Sequence, residues 1–399
     1  MALPVAEAGV RSDLHLSPSE WGWVLSSYVL ANALFEIPSG ALGDRGGRRM
    51  ELTRITVWWS GFTALTGWCR SFFQMVGARF LFGVGAAGAY PNAAGVISRW
   101  FPKQEHPRAQ GFLWGSGRLG GALALLLLPR LEQSFGWRSI FWVLGVVGLV
   151  WSAAWWIWFR DAPEEMDGIT SEELAEIRAG QIAGNPHGGV PWKPLFALPQ
   201  LWLIVLAYFC YAWGSWFYFG WFTTWLTRGA GFSVAQMGFF GSFPFLMGLV
   251  GNLVGGSVTE RMVEGHGRKR TYRWVTAVCL IVTSGLLLGM SMVRGHVAIV
   301  VLATLGFGVM DLMLPSAWAM CMSLVGRLGG TATGVMNTAG NLGGWVCTVL
   351  FGYVVKATGD YNIPLRVVAG MVLVGALLFS RVDCTKGVTE LDLSRDETA

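Results

Sequence analysis

The chain carries about eleven apolar stretches, most of them near the ~20 residues that a helix needs to cross a bilayer core, and this succession confines it to a bundle of membrane-spanning helices. The stretches read as Trp21–Leu42, Ile55–Cys69, Phe73–Ile97, Gln110–Leu128, Ile140–Phe159, Leu201–Leu226, Met237–Val258, Val275–Met292, Val297–Met322, Gly330–Val355 and Leu365–Phe379. In lipid every backbone polar group must find an internal partner, so such segments are expected to be helices. The composition fits: 53% of residues are hydrophobic and 13% charged, where a soluble domain carries ~25% charge. The mean hydropathy is +0.48. The 22 Trp and 55 Gly suit interfacial belts and close helix–helix approach. The expected fold class is all-α membrane protein.

Charges alternate between connections. One set holds Asp44 to Arg49, Arg99 to Arg108, Arg160 to Lys193, Arg261 to Arg273 and Arg327. The other holds little beyond Arg70, Arg130, Arg138, Arg228, Arg294 and Lys356. By the positive-inside rule the first set is cytoplasmic, which puts the C-terminus there too. Trp21 then lies at the outer end of its span, and the residues before it are too few to cross. The expectation is a first helix missing or truncated, with Met1 inside it. No basic start followed by a small-residue cleavage site marks a signal peptide.

An internal repeat fixes the architecture. Ala109-Gln110-Gly111-Phe112-Leu113-Trp114-Gly115-Ser116-Gly117-Arg118-Leu119-Gly120-Gly121 registers without a gap on Ala332-Thr333-Gly334-Val335-Met336-Asn337-Thr338-Ala339-Gly340-Asn341-Leu342-Gly343-Gly344. Gly40-Ala41-Leu42-Gly43-Asp44-Arg45, followed by Gly47-Arg48-Arg49, matches Gly255 to Arg261, followed by Gly267-Arg268-Lys269, more loosely. Two parallel halves related by an axis along the membrane normal are a transporter arrangement. The expected organisation is a half-bundle over 1–160, a cytoplasmic linker over 161–197, a second half-bundle over 198–382 and a cytoplasmic tail over 383–399.

These residues resemble the major facilitator superfamily. Gly40 to Arg49 is similar to its loop signature over its full length. Arg79-Phe80-Leu81-Phe82-Gly83-Val84-Gly85 with Ala89-Tyr90-Pro91, Arg99-Trp100-Phe101-Pro102, Gly136-Trp137-Arg138, Phe159 to Glu165 and Gly340 to Gly344 look like the anion:cation symporter branch. The resemblance covers nearly the whole chain. It implies the major facilitator fold, two pseudo-symmetric six-helix halves, and proton- or sodium-coupled movement of a small organic anion such as a hexonate, hexarate or hexuronate. It also implies a monomer and a multi-pass protein of the bacterial inner membrane. Two features depart from the branch: Ala86 stands where many bacterial members carry an acid linked to proton coupling, and a charged motif in the first span is absent.

Intramembrane polar groups are the site candidates, because burying a charge in the bilayer is costly. Arg118 can clamp a substrate carboxylate through a bidentate pair or close a structural ion pair. Arg118 and Trp114 align with Asn341 and Asn337, each pair four residues apart and so on one helix face. The carboxamides can meet substrate hydroxyls or bind helix to helix. Tyr28, Asn32 and Glu36 form another stripe of period four that ends at Gly40. Glu36 reads either as a proton carrier or as a static ion-pair partner. Asp311 is the deepest acid, a proton carrier or the partner of Arg118, and Trp318 lies two turns on. Gly40, Asp44, Arg45, Arg48 and Arg49 read as a conformational latch against a helix N-terminus, or as topology signals alone. The aromatic residues from Tyr208 to Trp225 divide between interface and site.

Several classes are excluded. The net charge of +5 is spread over short loops and forms no nucleic-acid surface. Cys69, Cys210, Cys279, Cys321, Cys347 and Cys384 have no metal or redox spacing. No catalytic constellation, cofactor motif or nucleotide loop is present, so the chain is expected not to be an enzyme or an ATP-driven pump. The readings that stay open besides the organic-anion carrier are an efflux antiporter for an amphiphile, and a membrane remnant or sensor that binds without transporting.

Overall fold

The computed structural model describes residues 1–101, 106–166, 168–179, 196–325 and 329–385. The linker over 180–195, Arg327 and the tail over 386–399 lie outside the described residues. Among those described there are helices and turns and no strand. The principal helices are α1 (Pro18–Gly46), α2 (Arg48–Thr66), α3 (Phe72–Ala86), α4 (Ala89–Trp100), α5 (His106–Phe135), α6 (Trp137–Trp158), α7 (Pro199–Trp216), α8 (Val234–His266), α9 (Arg268–Met290), α10 (His296–Leu312), α11 (Leu314–Val325), α12 (Gly329–Thr358) and α13 (Asn362–Phe379). Two short helices, Ala2–Val5 and Glu7–Asp13, precede them.

Stacked end to end, α3 with α4 and α10 with α11 complete the eleven rods expected. Among the described residues, eight helical segments are long and apolar enough to cross a membrane. The other three rods are α1, α2 and the α3–α4 pair, which are shorter or more polar. The ends differ from the hydropathy reading because polar turns continue the helices. Gln110–Leu128 grows to α5, and Trp21–Leu42 grows to α1.

The repeat is visible in the backbone. The offset that aligns Ala109 with Ala332 also carries His106 onto Gly329 and Phe135 onto Thr358, so α5 and α12 have equal length, 30 residues each. Both α1 and α8 open on a capping box, Ser17 with Glu20 and Ser233 with Gln236, which satisfies two otherwise orphaned N–H donors. Both stop at a glycine in the positive-φ region, Gly47 at 86° and Gly267 at 77°. A side chain there would be strained, so the chain turns sharply into α2 and α9.

Close contacts between the halves gather at the end away from the basic loops. A Cβ on Gly22 of α1 would sit 2.8 Å from the Thr348 carbonyl oxygen of α12. One on Gly238 of α8 would sit 2.7 Å from the Leu125 carbonyl oxygen of α5. Small residues permit this approach, where van der Waals packing and hydrogen bonds drive association. At the same end Trp23 donates its indole N–H to the Tyr353 hydroxyl at 3.2 Å. Arg228 pairs with Glu7 of the N-terminal segment at 3.1 Å.

Candidate functional site: a central cavity between the halves

Midway along the bundle the halves part around a cavity of 580 Å³. Its wall includes Tyr28 and Asn32 from α1, Trp114 and Arg118 from α5, and Asn337 and Asn341 from α12. The repeat brings these positions together: α5 and α12 are equivalent helices, and the four-residue spacing holds each pair on the inward face. Trp318, from α11, donates to the Tyr208 hydroxyl at 3.4 Å and meets Trp114 edge-on at 5.9 Å. Tyr208 itself lines the cavity. Tyr90 stacks on Trp114 with ring centroids 4.5 Å apart, so the cavity has a rigid aromatic side.

Arg118 is occupied. Its Nε donates to Asp311 Oδ2 at 2.6 Å and its Nη2 to Asp311 Oδ1 at 3.1 Å. Asn252 of α8 donates to the same Oδ2 at 3.0 Å. Arg118 is 8% exposed and Asp311 fully buried, and the guanidinium also lies over the rings of Phe219 and Phe307 at 5.0 and 5.2 Å. The planar fork is matched bidentately, and the charge it neutralises belongs to the other half.

The two asparagines act in the reverse direction. Asn337 donates to Glu36 Oε1 at 2.7 Å and Asn341 to Glu36 Oε2 at 3.2 Å. A carboxylate of α1 is thus held by carboxamides of α12. Each half grips one acid of the other, from equivalent positions on equivalent helices.

One member of the site was not singled out from the sequence. Arg79 of α3 lines the cavity, with its guanidinium 4.3 Å from the Phe82 ring centroid and 5.6 Å from that of Tyr28. Its Nε is buried with no hydrogen-bond partner. Among the described residues no carboxylate lies in ion-pair reach of it. The signal was available, since Arg79 stands inside an apolar run just as Arg118 does, but its freedom from a partner is a three-dimensional fact.

The expected latch residues lie at the basic end, away from the cavity. The side chains of Gly40, Asp44 and Arg45 lie outside the described residues. Arg48 donates to Asn92 Oδ1 at 2.8 Å. The Arg49 backbone N–H donates to Asp161 Oδ1 at 2.9 Å, and its guanidinium lies 4.4 Å from the Trp156 ring centroid. A carboxylate does sit at the N-terminus of α2, where the helix dipole favours it, and it is Asp161.

The sequence of residues 1–348 matches the family model described as Major Facilitator Superfamily. The chain belongs to the Major Facilitator Superfamily. It is a multi-pass membrane transporter and not an enzyme. It is 32% identical to the probable sulfoacetate transporter of Cupriavidus necator, over 94% of this chain and 87% of that one. It is 29% identical to the D-galactonate transporter of Escherichia coli, over 94% and 90%. With the probable galactarate/D-glucarate transporter of Bacillus subtilis the identity is 28%, over 94% and 84%. Among solved structures, a bacterial homolog of the human lysosomal transporter Spinster, inward-facing and occupied, superposes with a TM-score of 0.78 over 98% of this chain and 94% of that one. At 16% identity that likeness speaks for the fold alone.

Proposed function

We propose that the chain is a secondary carrier of a small organic anion, a sugar acid of the hexonate, hexarate or hexuronate kind or an anion of similar size, moved by proton- or sodium-coupled alternating access. The observation that carries this reading is Arg79: a guanidinium in the cavity wall with no acid beside it among the described residues. A buried charge without a partner is expensive, and an incoming carboxylate or sulfonate supplies the missing bidentate acceptor. The hydroxyls of Tyr28, Tyr90 and Tyr211 and the side chain of Asn32, all in the wall, offer hydrogen bonds to a polyhydroxy chain. The relatives' substrates, galactonate, galactarate or glucarate, and sulfoacetate, are all small anions.

Coupling runs in this reading through Arg118 and Asp311. A substrate anion that draws Arg118 into the cavity leaves the buried Asp311 carboxylate with the Asn252 amide but no cation, and taking up a proton removes that cost. Glu36 plays the same part on the other side when Asn337 and Asn341 turn to substrate hydroxyls. The carrier is a monomer with the basic loops and the C-terminus in the cytoplasm of a bacterium. The halves, 1–160 and 198–382, rock about the cavity, with Asp44, Arg45, Arg48 and Arg49 at the cytoplasmic latch.

The test is counterflow of labelled galactonate, glucarate and sulfoacetate in proteoliposomes, with and without a pH gradient. Exchange of at least one of them is expected, with Arg79→Ala inactive and Arg79→Lys strongly impaired. Unchanged exchange in Arg79→Ala overturns the binding assignment, and unchanged pH-gradient-driven net uptake in Arg118→Ala overturns the coupling route.

A further inference from the structure

A second concavity of 420 Å³ opens far from the central cavity, at the basic end between α8 and α9. Met262 and His266 come from α8, Arg270, Trp274 and Val278 from α9, and Leu312 of α10 contributes from behind. Along α9 the residues Arg270, Trp274, Val278 and Val282 follow one another at intervals of four, so they form one stripe. The stripe runs from a cation through an indole to aliphatic groups. Trp274 is 58% exposed, Val278 44% and Val282 42%. At ~1.5 Å per residue Val278 lies about 12 Å deeper than Arg270. That order matches a bilayer leaflet, with cations at the headgroup level, Trp at the interface and aliphatic groups among the acyl chains.

Among the described residues no side chain pairs with Arg270. Its neighbour Lys269 pairs with Asp383 at 2.5 Å, and Arg273 is turned to the backbone carbonyls of Val382 and Arg381. No ion pair involves His266 or Arg270 among the described residues. Glu260 and Glu264, the acids of the same stretch, lie about half a helical turn from Met262 and His266 on α8 and line no part of the groove. The other half offers a comparison. The register that aligns Gly47 with Gly267 sets Met50 at the position of Arg270 and Arg54 at that of Trp274. Met50 carries no charge, and Arg54 is held by Glu51 at 2.5 Å. The cation, indole and aliphatic stripe therefore belongs to the second half alone and is not a by-product of the repeat.

We propose that this groove binds an anionic phospholipid, with the headgroup phosphate between Arg270 and His266 and one acyl chain laid over Trp274, Val278 and Val282. Basic pockets between membrane helices recognise anionic headgroups through charge, and the track below Trp274 leads the acyl chain into the hydrocarbon.

The test uses the full chain reconstituted in nanodiscs with photoactivatable phosphatidylglycerol or phosphatidylcholine, each carrying a diazirine in the acyl chain. Phosphatidylglycerol is expected to label the peptide from Trp274 to Val282 in preference to other lipid-facing peptides, and phosphatidylcholine to do so weakly. Loss of one membrane-surface cation lowers lipid affinity about fivefold, so Arg270→Ala should reduce this label by about that factor. Arg270→Lys should keep most of it, and Arg294→Ala, at the other end, should leave it unchanged. Equal labelling by both lipids, label spread evenly over the lipid-facing surface, or undiminished label in Arg270→Ala would each overturn the proposal. So would loss of the label in excess inorganic phosphate, which would make the groove a site for a free anion.

Discussion

Two arginines in apolar runs meet opposite fates. Arg118 is matched to Asp311 across the halves, whereas Arg79 faces a cavity with its Nε unpartnered. Removing one member of a buried pair leaves an uncompensated charge, a cost of about 3–5 kcal/mol, while replacing both with apolar groups is often near neutral. Asp311→Leu and Arg118→Met alone should therefore lower the thermal midpoint in detergent sharply, and the double variant should recover most of the loss. A double variant as unstable as either single one would show that the two residues do not act as a pair. The sequence made Arg118 and Asp311 legible as costly groups in apolar surroundings. It left open whether they meet, because that depends on how α5 and α10 are apposed. Arg79 is equally costly by the same rule, yet only the folded chain shows that no acid answers it among the described residues.

Elements were legible to the extent that local chemistry sets them. The capping boxes at Ser17 and Ser233, and the glycine stops at Gly47 and Gly267, are sequence signals with local causes. The breaks that separate α3 from α4 and α10 from α11 lie inside the apolar stretches Phe73–Ile97 and Val297–Met322, which hydropathy alone presents as continuous spans. Gly88, at φ 82°, takes its conformation beside Ser39 of α1, a tertiary neighbour that no local pattern reveals. Packing between α8 and α10 gives a sharper test. Gly251 faces the Gly308 carbonyl, and Gly255 faces the Leu312 carbonyl, while a Cβ at Gly256 meets nothing within 4 Å. Forcing atoms into a packed contact costs about 1–3 kcal/mol. Gly251→Val should lower the thermal midpoint, and Gly256→Ala should leave it level or raise it, since Ala exceeds Gly in helix propensity by up to about 1 kcal/mol. At the junction of α9 with the segment after α13, Lys269 and the Thr385 hydroxyl hold Asp383 below its ordinary pKa. A depressed carboxylate stabilises the fold fully above its unfolded pKa near ~3.9, and the contribution is lost as pH falls from there through the folded value. Asp383→Asn should narrow the loss of thermal midpoint between pH 5 and pH 3, about a unit either side of that value; an unchanged acid profile would remove Asp383 from the account.

At the scale of the molecule the repeat does more than duplicate helices. Equivalent faces of α5 and α12 reach across the axis and take hold of Asp311 and Glu36, so among the described residues the two halves are joined at mid-depth by an ion pair and by carboxamide hydrogen bonds. Beyond these grips, at the end away from the basic loops, backbones touch where Gly22 meets Thr348. A cavity reached in turn from each side requires this contact to open. A cross-link placed across this end should therefore hold one state without touching the cavity. The Trp23 indole N–H and the Tyr353 hydroxyl meet here at 3.2 Å, so cysteines at these two positions fall within reach of a short bifunctional methanethiosulfonate. The six native cysteines are buried and unpaired and offer little competition to exposed thiols. Trp23→Cys with Tyr353→Cys, cross-linked, should bind substrate anion near the wild-type affinity in detergent yet fail to exchange it in proteoliposomes, and reduction should restore exchange. Exchange that persists in the fully cross-linked protein would mean that the halves do not part here, and alternating access would have to be sought in the bending of single helices. The place to look would be the two π-helical turns that follow α7, Phe217–Trp221 and Trp225–Gly229, since such turns are concentrated at functional sites.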